Sequence, residues 1–279
     1  MPELSNPRAE RVKALRALSG RSARRRAGRF LVEGPQAVRE AVGAAAAGTA
    51  RVHDLLLTDD AAARHPEILA VARDAGIVAR TGTREVLDAV SPDAQGLVAT
   101  ADLLLPTLAD VVTAGPRLVA VLAQVRDPGN AGTVIRTADA AGADAVILTG
   151  GSVDPHNPKA VRATAGSLFH LPVVTHADLA DALAHLARAG LTVLAADGRG
   201  AHDLDDLLDV TGAAASGTPD LAAPTAWLFG NEAWGLPEAD RDLADAAVRV
   251  HLRGRAESLN LATAAAVCLY ASSRAHRRS

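Results

Sequence analysis

Four stretches of this 279-residue sequence combine glycine with polar side chains, and each follows a short apolar run. In open α/β sheets such stretches lie at the carboxyl ends of strands, where free backbone N–H groups can bind a ligand. The sequence therefore predicts a ligand site built from these loops. The stretches are "DPGNAGTVIR" (127–136), "AADGRG" (195–200), "LFGNEAWGLP" (228–237) and "VHLRGRAESLNLA" (250–262).

Several familiar kinds of site are disfavoured. Gly198 and Gly200 form a GxG without the third glycine of a dinucleotide fingerprint, and no GxxxxGK[ST] phosphate loop occurs. His156 lies near Asp154, but the spacing does not indicate a ligand set, and no metal is expected. Ser258 is not part of a GxSxG elbow, so the sequence gives it no route to a hydrolase nucleophile.

The first stretch is an unusual opening for an apolar helix, because it places Asn130 and Gly132 at the start and Arg136 in the second turn. Two interpretations of the arginine follow from the residues alone. Arg136 is either an exposed residue paired with Asp139 or Asp144, or a functional group held at the end of a strand.

The elements that must position these loops alternate between strand-like and helix-like segments. Apolar runs such as "FLVEG" and "GLVATAD" flank amphipathic segments that end at glycine, which indicates an α/β fold with a mainly parallel sheet. "LLPTLADVVTAGP" contains two prolines and separates two such series. We therefore expect a smaller N-terminal α/β domain at 1–103, a linker at 104–116 and a second α/β domain at 117–279.

Charge is distributed unevenly along the chain. Residues 1–40 hold ten Lys or Arg against four acids, a net charge of +6, and the remaining residues carry −9. "GRSARRRAGRF" holds five arginines without an acid, and these would repel one another without a polyanion nearby. A solvated helix face is the plainer interpretation of a charge run. The functional interpretation of this arginine run is contact with nucleic-acid phosphates.

Composition limits the remaining possibilities. Aromatic residues make up 2% of the chain, so a base-stacking platform of clustered rings is not expected and RNA contact must depend on charge. Trp227 and Trp234 are expected in the core or at an interface. Cys268 is the only cysteine, which favours a reducing compartment. No apolar run approaches a membrane span, and we expect a cytoplasmic protein without a membrane partner.

Taken together, "NAGTVIRTADAAGA", "LFGNEAWGLP" and "SLNLATAAAV" resemble the three signature motifs of the SpoU family of RNA 2'-O-ribose methyltransferases, in the SPOUT superfamily. The resemblance extends over about residues 117–275. The N-terminal part is similar to the ribosomal-protein-like RNA-binding domain that many members carry. The third motif departs from the family in its lead-in, "RGRAESLNL".

The resemblance implies a deep trefoil knot in the C-terminal domain and S-adenosylmethionine bound in its loops. Backbone approach to the adenine or ribose would explain a glycine at position 230. The positions implied for cofactor contact are Gly230, Val250, Leu259, Leu228, Phe229, Ala195 and Gly198.

The resemblance also implies a set of catalytic residues. Arg136 matches the family's catalytic arginine; a free guanidinium stays protonated, so it would activate the ribose 2'-hydroxyl or clamp the 3' phosphate. Asn130 would orient the arginine or the ribose, and Glu232 would accept backbone or arginine hydrogen bonds. Ser258 and Asn260 would contact substrate at the start of the last helix, where Ser258 is also a good N-cap.

The partners implied are RNA and a second copy of the chain. Family members dimerise through the last helix, so a homodimer is expected. Ribosomal RNA is the preferred substrate and transfer RNA the alternative. A non-catalytic RNA-binding protein and a small-molecule methyltransferase are further alternatives. The candidate phosphate contacts are Arg8, Arg24, Arg25, Arg26 and Arg29.

Overall fold

The computed structural model describes residues 3–277 and divides into two units, each with its own sheet. The strands are β1 (Arg29–Glu33), β2 (Val52–Leu57), β3 (Ala79–Thr81), β4 (Leu97–Asp102), β5 (Leu118–Leu122), β6 (Ala145–Thr149), β7 (Val173–Ala177), β8 (Thr192–Ala196), β9 (His202–Asp203), β10 (Thr225–Phe229) and β11 (Ala246–Arg249). The helices are α1 (Glu10–Ala17), α2 (Arg21–Ala27), α3 (Pro35–Ala46), α4 (Asp59–Arg64), α5 (Pro66–Asp74), α6 (Arg84–Val90), α7 (Leu108–Thr113), α8 (Pro128–Ala140), α9 (Pro158–Thr164), α10 (Leu179–Arg188), α11 (Leu204–Asp209), α12 (Glu238–Arg241) and α13 (Leu261–His276), with a 3₁₀ turn at Ser167–Phe169.

The first unit contains the described chain up to Leu104 together with Asp154–His170, a segment that lies far along the sequence. Its strands lie in the order β1-β4-β2-β3. β4 is antiparallel to both β1 and β2, whereas β2 and β3 are parallel. The expectation of a mainly parallel sheet is therefore wrong for this unit. The short apolar run of β4 signals burial but carries no information on strand direction.

Several ion pairs join the Asp154–His170 segment to the rest of the first unit, and two of them have a buried member. The side chain of Arg24 is 2% exposed, and its Nη2 lies 2.6 Å from Oδ2 of Asp154. Arg162, on α9, is paired with Glu33 at the end of β1, whose carboxylate is fully buried. Because a buried charge is costly without a partner, these pairs specify how the segment packs.

The second unit is built on a sheet with the order β7-β6-β5-β10-β8-β11-β9, and its strands pair in parallel throughout. β5, β6 and β10 are buried along their whole length, as the continuous apolar runs "LVAVL", "AVILT" and "TAWLF" predict for central parallel strands. The α/β prediction is confirmed, and the parallel sheet is found in this unit. β5 lies between β6 and β10, so the order along the sheet reverses there and leaves a crevice at the carboxyl ends of the strands.

The segment expected as a linker contains α7, which begins with a capping box. The hydroxyl of Thr107 accepts from the N–H of Asp110, whose carboxylate accepts from the N–H of Thr107. Val111 is buried in the core of the second unit, with Leu108 packed against it. Within residues 3–277, no helix is both long and apolar enough to cross a membrane.

Candidate active site

A cleft of about 670 Å³ opens at the carboxyl ends of β8, β10 and β11 in the second unit. Its size is typical of small-molecule sites. Its walls come from three loops that lie far apart in the sequence. The lining residues are Ala196–Arg199, Phe229–Leu236, Val248, Val250, Leu252, Glu257–Leu261 and Ala264.

The loop after β10 closes tightly on itself. The N–H of Asn231 donates to the carbonyl of Gly235 at 3.0 Å, and the N–H of Gly235 donates back at 2.9 Å. A Cβ on Gly230 would overlap the carbonyl carbon of Gly235 and the backbone nitrogen of Leu236. Glycine is thus required at position 230 by the loop's own backbone, before any approach by a ligand.

The loop after β8 contributes a buried carboxylate to the cleft. The side chain of Asp197 is 8% exposed, accepts from the N–H of Arg199 at 2.8 Å and lies 3.8 Å from the guanidinium of Arg241. Burial would raise the pKa of Asp197, but the hydrogen bonds from Arg199 and the two cationic side chains lower it overall. The carboxylate is therefore held ionised at this wall of the cleft.

A chain of hydrogen bonds links the three sequence motifs at the edge of the cleft. Asn130 donates from Nδ2 to Oε1 of Glu232 at 3.3 Å, and Asn260 donates from Nδ2 to Oδ1 of Asn130 at 3.1 Å. Glu232 also accepts from the backbone N–H groups of Arg126 and Asp127, at 3.3 and 3.1 Å. Glu232 therefore fixes the backbone that leads into α8. Asn130, in the first turn of α8, connects this segment to the start of α13.

The start of the last helix differs from the expectation. Asn260 is the N-cap of α13, and its Oδ1 accepts from the N–H groups of Ala262 and Thr263. Ser258 instead lines the cleft two residues earlier, and its hydroxyl makes no hydrogen bond within the described chain. The asparagine thus caps the helix with its oxygen and reaches Asn130 with its nitrogen.

Arg136 lies on the exposed surface of α8 and is not among the residues that line the cleft. Among residues 3–277 its guanidinium has no hydrogen-bond or ion-pair partner. Asp144, one of the two partners considered from the sequence, instead accepts from the N–H groups of Arg117 and Leu118. The arginine is therefore available to a group from outside the chain.

Five of the seven positions expected to contact a cofactor line the cleft, namely Gly198, Phe229, Gly230, Val250 and Leu259. Ala195 and Leu228, expected to contribute backbone groups close by, do not line it. They lie inside β8 and β10, opposite each other in the sheet, so their backbone groups belong to the ladder. The residues that reach the cleft from the end of β8 begin one position later, at Ala196.

Trp234 and Arg126 were not assigned to the site from the sequence. Trp234 lines the cleft and is 49% exposed, so it does not lie in the core. The guanidinium carbon of Arg126 lies 4.9 Å from the centre of the indole ring, in a cation–π contact. Trp227, by contrast, is fully buried, as expected, and donates to the hydroxyl of Ser272. The one signal that could have placed Trp234 here is its position inside the motif "LFGNEAWGLP".

The N-terminal arginines lie in the first unit and differ in exposure. Arg8, Arg25 and Arg26 are exposed, and Arg29 is half-buried. Arg24 is buried, donates to the carbonyls of residues 18 and 19, and pairs with Asp154. Its expected role as a phosphate contact is therefore corrected, because its guanidinium is buried and hydrogen-bonded within the fold.

Asp154 is held ionised at the buried pair with Arg24. Burial alone would raise the pKa of its carboxyl, but hydrogen bonds from His156 and Arg24 keep that pKa well below its usual range. His156 is itself buried, and its Nε2 accepts from the N–H of Leu104. The described residues contain no group of three or more His, Cys, Asp or Glu that could hold a metal ion.

Two family models match the chain and together span most of it. Residues 117–270 match the SpoU rRNA Methylase family, and residues 9–99 match the MRM3-like substrate binding domain. The chain is 31% identical over 274 residues to 23S rRNA (guanosine(2553)-2'-O)-methyltransferase RlmP of Bacillus subtilis (strain 168). That match covers 97% of this chain and 98% of the relative.

Solved structures resemble the chain over almost its full length. The AdoMet-bound rRNA methyltransferase from Sinorhizobium meliloti superposes with a TM-score of 0.80 at 30% identity, covering 97% of both chains. The SpoU methyltransferase AviRb from Streptomyces viridochromogenes, in complex with the cofactor AdoMet, gives a TM-score of 0.77 at 30% identity. It covers 97% of this chain and 100% of its own.

Proposed function

The chain belongs to the SpoU rRNA Methylase family, and from this premise we propose that it transfers a methyl group from S-adenosylmethionine to a ribose 2'-hydroxyl of ribosomal RNA. The observation that carries the proposal is the hydrogen-bonded chain Glu232–Asn130–Asn260 beside the cleft. It joins the three motifs on which the family resemblance depends.

The cleft fits the cofactor. Its apolar wall, with Leu236, Val250 and Leu259, suits an adenine, and the ends of β8 and β10 present backbone groups and the ionised Asp197. Bound there, S-adenosylmethionine supplies an electrophilic methyl group. The chain itself contributes binding, orientation and exclusion of water.

Catalysis then depends on placing the ribose hydroxyl and assisting loss of its proton. The 2'-hydroxyl would lie near Ser258 and Asn260 at the cleft wall. Arg136 would clamp the adjacent phosphate, since a guanidinium binds phosphate well and is a poor base. Glu232 holds the backbone at the start of α8 and so positions the helix that carries Arg136.

The first unit supports an RNA substrate, with ribosomal RNA preferred over transfer RNA. Residues 9–99 match a substrate binding domain, and the full-length relative RlmP is named for 23S rRNA. Exposed Arg8, Arg25 and Arg26, with Arg29, would contact phosphates. We assign RNA binding to residues 1–103, with 104–116 as the connecting segment that carries α7, and catalysis to residues 117–279, apart from Asp154–His170, which packs in the first unit. The terminal residues 1, 2, 278 and 279 lie outside the described chain.

A trefoil knot, a ribosomal-protein-like first unit and a homodimer complete the proposal. In support, α13 follows the loop at the cleft and packs back against α8, β5 and β10. Val267 and Tyr270 on α13 are 40% and 51% exposed, and their apolar surface suits a second copy of the chain. A ribosomal RNA substrate would place the enzyme in the cytoplasm.

The test is transfer of radiolabelled methyl from S-adenosylmethionine to an unmodified 23S rRNA transcript, followed by mapping of the 2'-O-methyl site. Incorporation at one ribose supports the proposal. Incorporation into transfer RNA alone would favour the alternative substrate. Cofactor binding by calorimetry without transfer to any RNA would favour a small-molecule methyltransferase, and no cofactor binding would indicate a non-catalytic RNA-binding protein.

A further inference from the structure

We propose that Trp234 and Arg126 form a stacking site for a nucleobase of the RNA substrate at the mouth of the cleft. This inference depends on the proposed function, because it assigns a recognition role within the same site. It concerns residues outside the catalytic set considered above.

The exposure of Trp234 is the first observation. An indole that is 49% exposed leaves a large apolar surface in water, whereas Trp227, in β10, is fully buried. Trp234 lines the same cleft as Leu236 and Leu252, so its exposed face adds to an apolar wall and does not lie alone on the surface. Apolar surface of this kind beside a cleft is typical of a binding site.

The position of Trp234 within its loop is the second observation. The paired N–H and carbonyl groups of Asn231 and Gly235 close the turn that carries it, and Asn231 also donates from Nδ2 to the carbonyl of Gln124 at 2.7 Å. The indole is therefore presented by a fixed backbone. A ring held in place loses little entropy when a base stacks on it.

Arg126 supplies the third observation. Its guanidinium carbon lies 4.9 Å from the ring centre, and within residues 3–277 it forms no ion pair. Its backbone N–H donates to Glu232, which ties the stacking site to the hydrogen-bonded chain at the cleft. A cation on an indole that also faces solvent suits a nucleotide, because the ring can stack on the base and the guanidinium can reach a phosphate.

The adenine of the cofactor is the competing occupant, since Trp234 lines the same cleft. We favour an RNA base because the indole is half exposed to solvent and the cationic Arg126 lies against it. If Trp234 stacks on an RNA base, its loss weakens binding of RNA and leaves binding of the cofactor unchanged. If it stacks on the cofactor's adenine, its loss weakens binding of the cofactor.

The experiment compares Trp234→Ala, Trp234→Phe and Arg126→Ala with the unchanged protein. Leu243→Ala removes an exposed apolar side chain that does not line the cleft, and Arg188→Ala removes an exposed charge, so these serve as matched controls. KM and kcat are measured on an unmodified 23S rRNA transcript, the Kd for the same transcript by filter binding, and the Kd for S-adenosylmethionine by calorimetry.

We expect Trp234→Ala to raise KM and Kd for the RNA by about tenfold or more, and Trp234→Phe to restore most of the loss, because any aromatic ring can stack. Arg126→Ala should raise both by a smaller factor. The Kd for the cofactor and the melting temperature should stay close to those of the controls.

Unchanged RNA affinity of Trp234→Ala, or an equal rise in its cofactor Kd, overturns the proposal. Failure of the unchanged protein to methylate any RNA is a different result, because it rejects the proposed function. Filter binding of the variants still decides in that case whether Trp234 contacts RNA.

Discussion

Asn260 donates from Nδ2 to Oδ1 of Asn130 at 3.1 Å, across 130 positions of the sequence. The same side chain caps α13 through its oxygen. The amide of Asn260 therefore connects the N-terminal turns of α8 and α13. Asn130 in turn donates a hydrogen bond to Glu232. The geometry of the candidate site depends on the hydrogen bonds among Asn260, Asn130 and Glu232.

Substitution of Asn260 should separate its two roles. Asn260→Asp keeps an oxygen that can cap α13 but removes the N–H donor to Asn130, so stability should be retained while kcat falls by about tenfold or more. Asn260→Ala should lose both the cap of α13 and the donor to Asn130, and its free energy of unfolding should fall by about 1 kcal/mol. Thermal melts and methyl-transfer assays on both variants measure this. Equal activity of Asn260→Asp and the unchanged protein would contradict a role for the donor.

Arg136→Ala should abolish transfer without affecting the fold. The side chain is exposed and has no partner within the described chain, so the melting temperature should not change. We expect kcat to fall by about 100-fold or more, with the Kd for S-adenosylmethionine within about twofold. Arg188→Ala, at an exposed position on α10, is the matched control. Unchanged turnover would remove Arg136 from the mechanism.

Much of the site could be predicted because its residues lie in short motifs at the ends of apolar runs. Parallel strands bring their carboxyl ends to one edge of a sheet, so Gly230, Val250 and Leu259 were expected together and line one cleft. The hydrogen bonds among Asn130, Glu232 and Asn260 could not be predicted, because they depend on how α8 and α13 pack.

Other features lie beyond local pattern. The direction of β4 is set by its partners in the sheet, and the apolar run alone is the same for either direction. Arg24 has the same sequence context as exposed Arg25, and only the return of the Asp154–His170 segment gives it a buried partner. Burial of one arginine within a basic run is thus decided by tertiary structure.

The buried and exposed arginines of α2 should behave differently when substituted. Arg24→Ala removes the buried arginine that pairs with Asp154, which keeps only its hydrogen bonds from His156, and should lower the free energy of unfolding by about 3 kcal/mol. Arg25→Ala combined with Arg26→Ala should leave the free energy of unfolding nearly unchanged and weaken RNA binding. The slope of log K against log salt concentration should become shallower by about 1 to 2. Denaturant melts and filter binding at several salt concentrations measure the two effects. Equal RNA affinity of the double variant and the unchanged protein would contradict the phosphate contacts.

Cys268 should be unreactive in the folded protein. Complete burial raises the pKa of its thiol to about 12, so almost no thiolate exists at pH 8. Iodoacetamide should modify the chain only after denaturation, as counted by mass spectrometry. Because the folded pKa is raised, the free energy of unfolding should decline as pH rises from about 9 towards about 12. Rapid alkylation of the native protein at pH 8 would show that this part of α13 opens.

Asp203 should control the loop that forms one wall of the cleft. Its carboxylate lies 3.3 Å from Nε of Arg249 and 3.5 Å from Nδ1 of His251. These two residues flank Val250 in the sequence, and Val250 lines the cleft. Asp203→Asn keeps the cap of α11 but removes the charge that holds this loop, so the Kd for S-adenosylmethionine should rise by about three- to tenfold. Asp206→Asn, at an exposed position on the same helix, is the matched control. Calorimetry measures both, and an equal Kd for the two variants would show that the loop is held without Asp203.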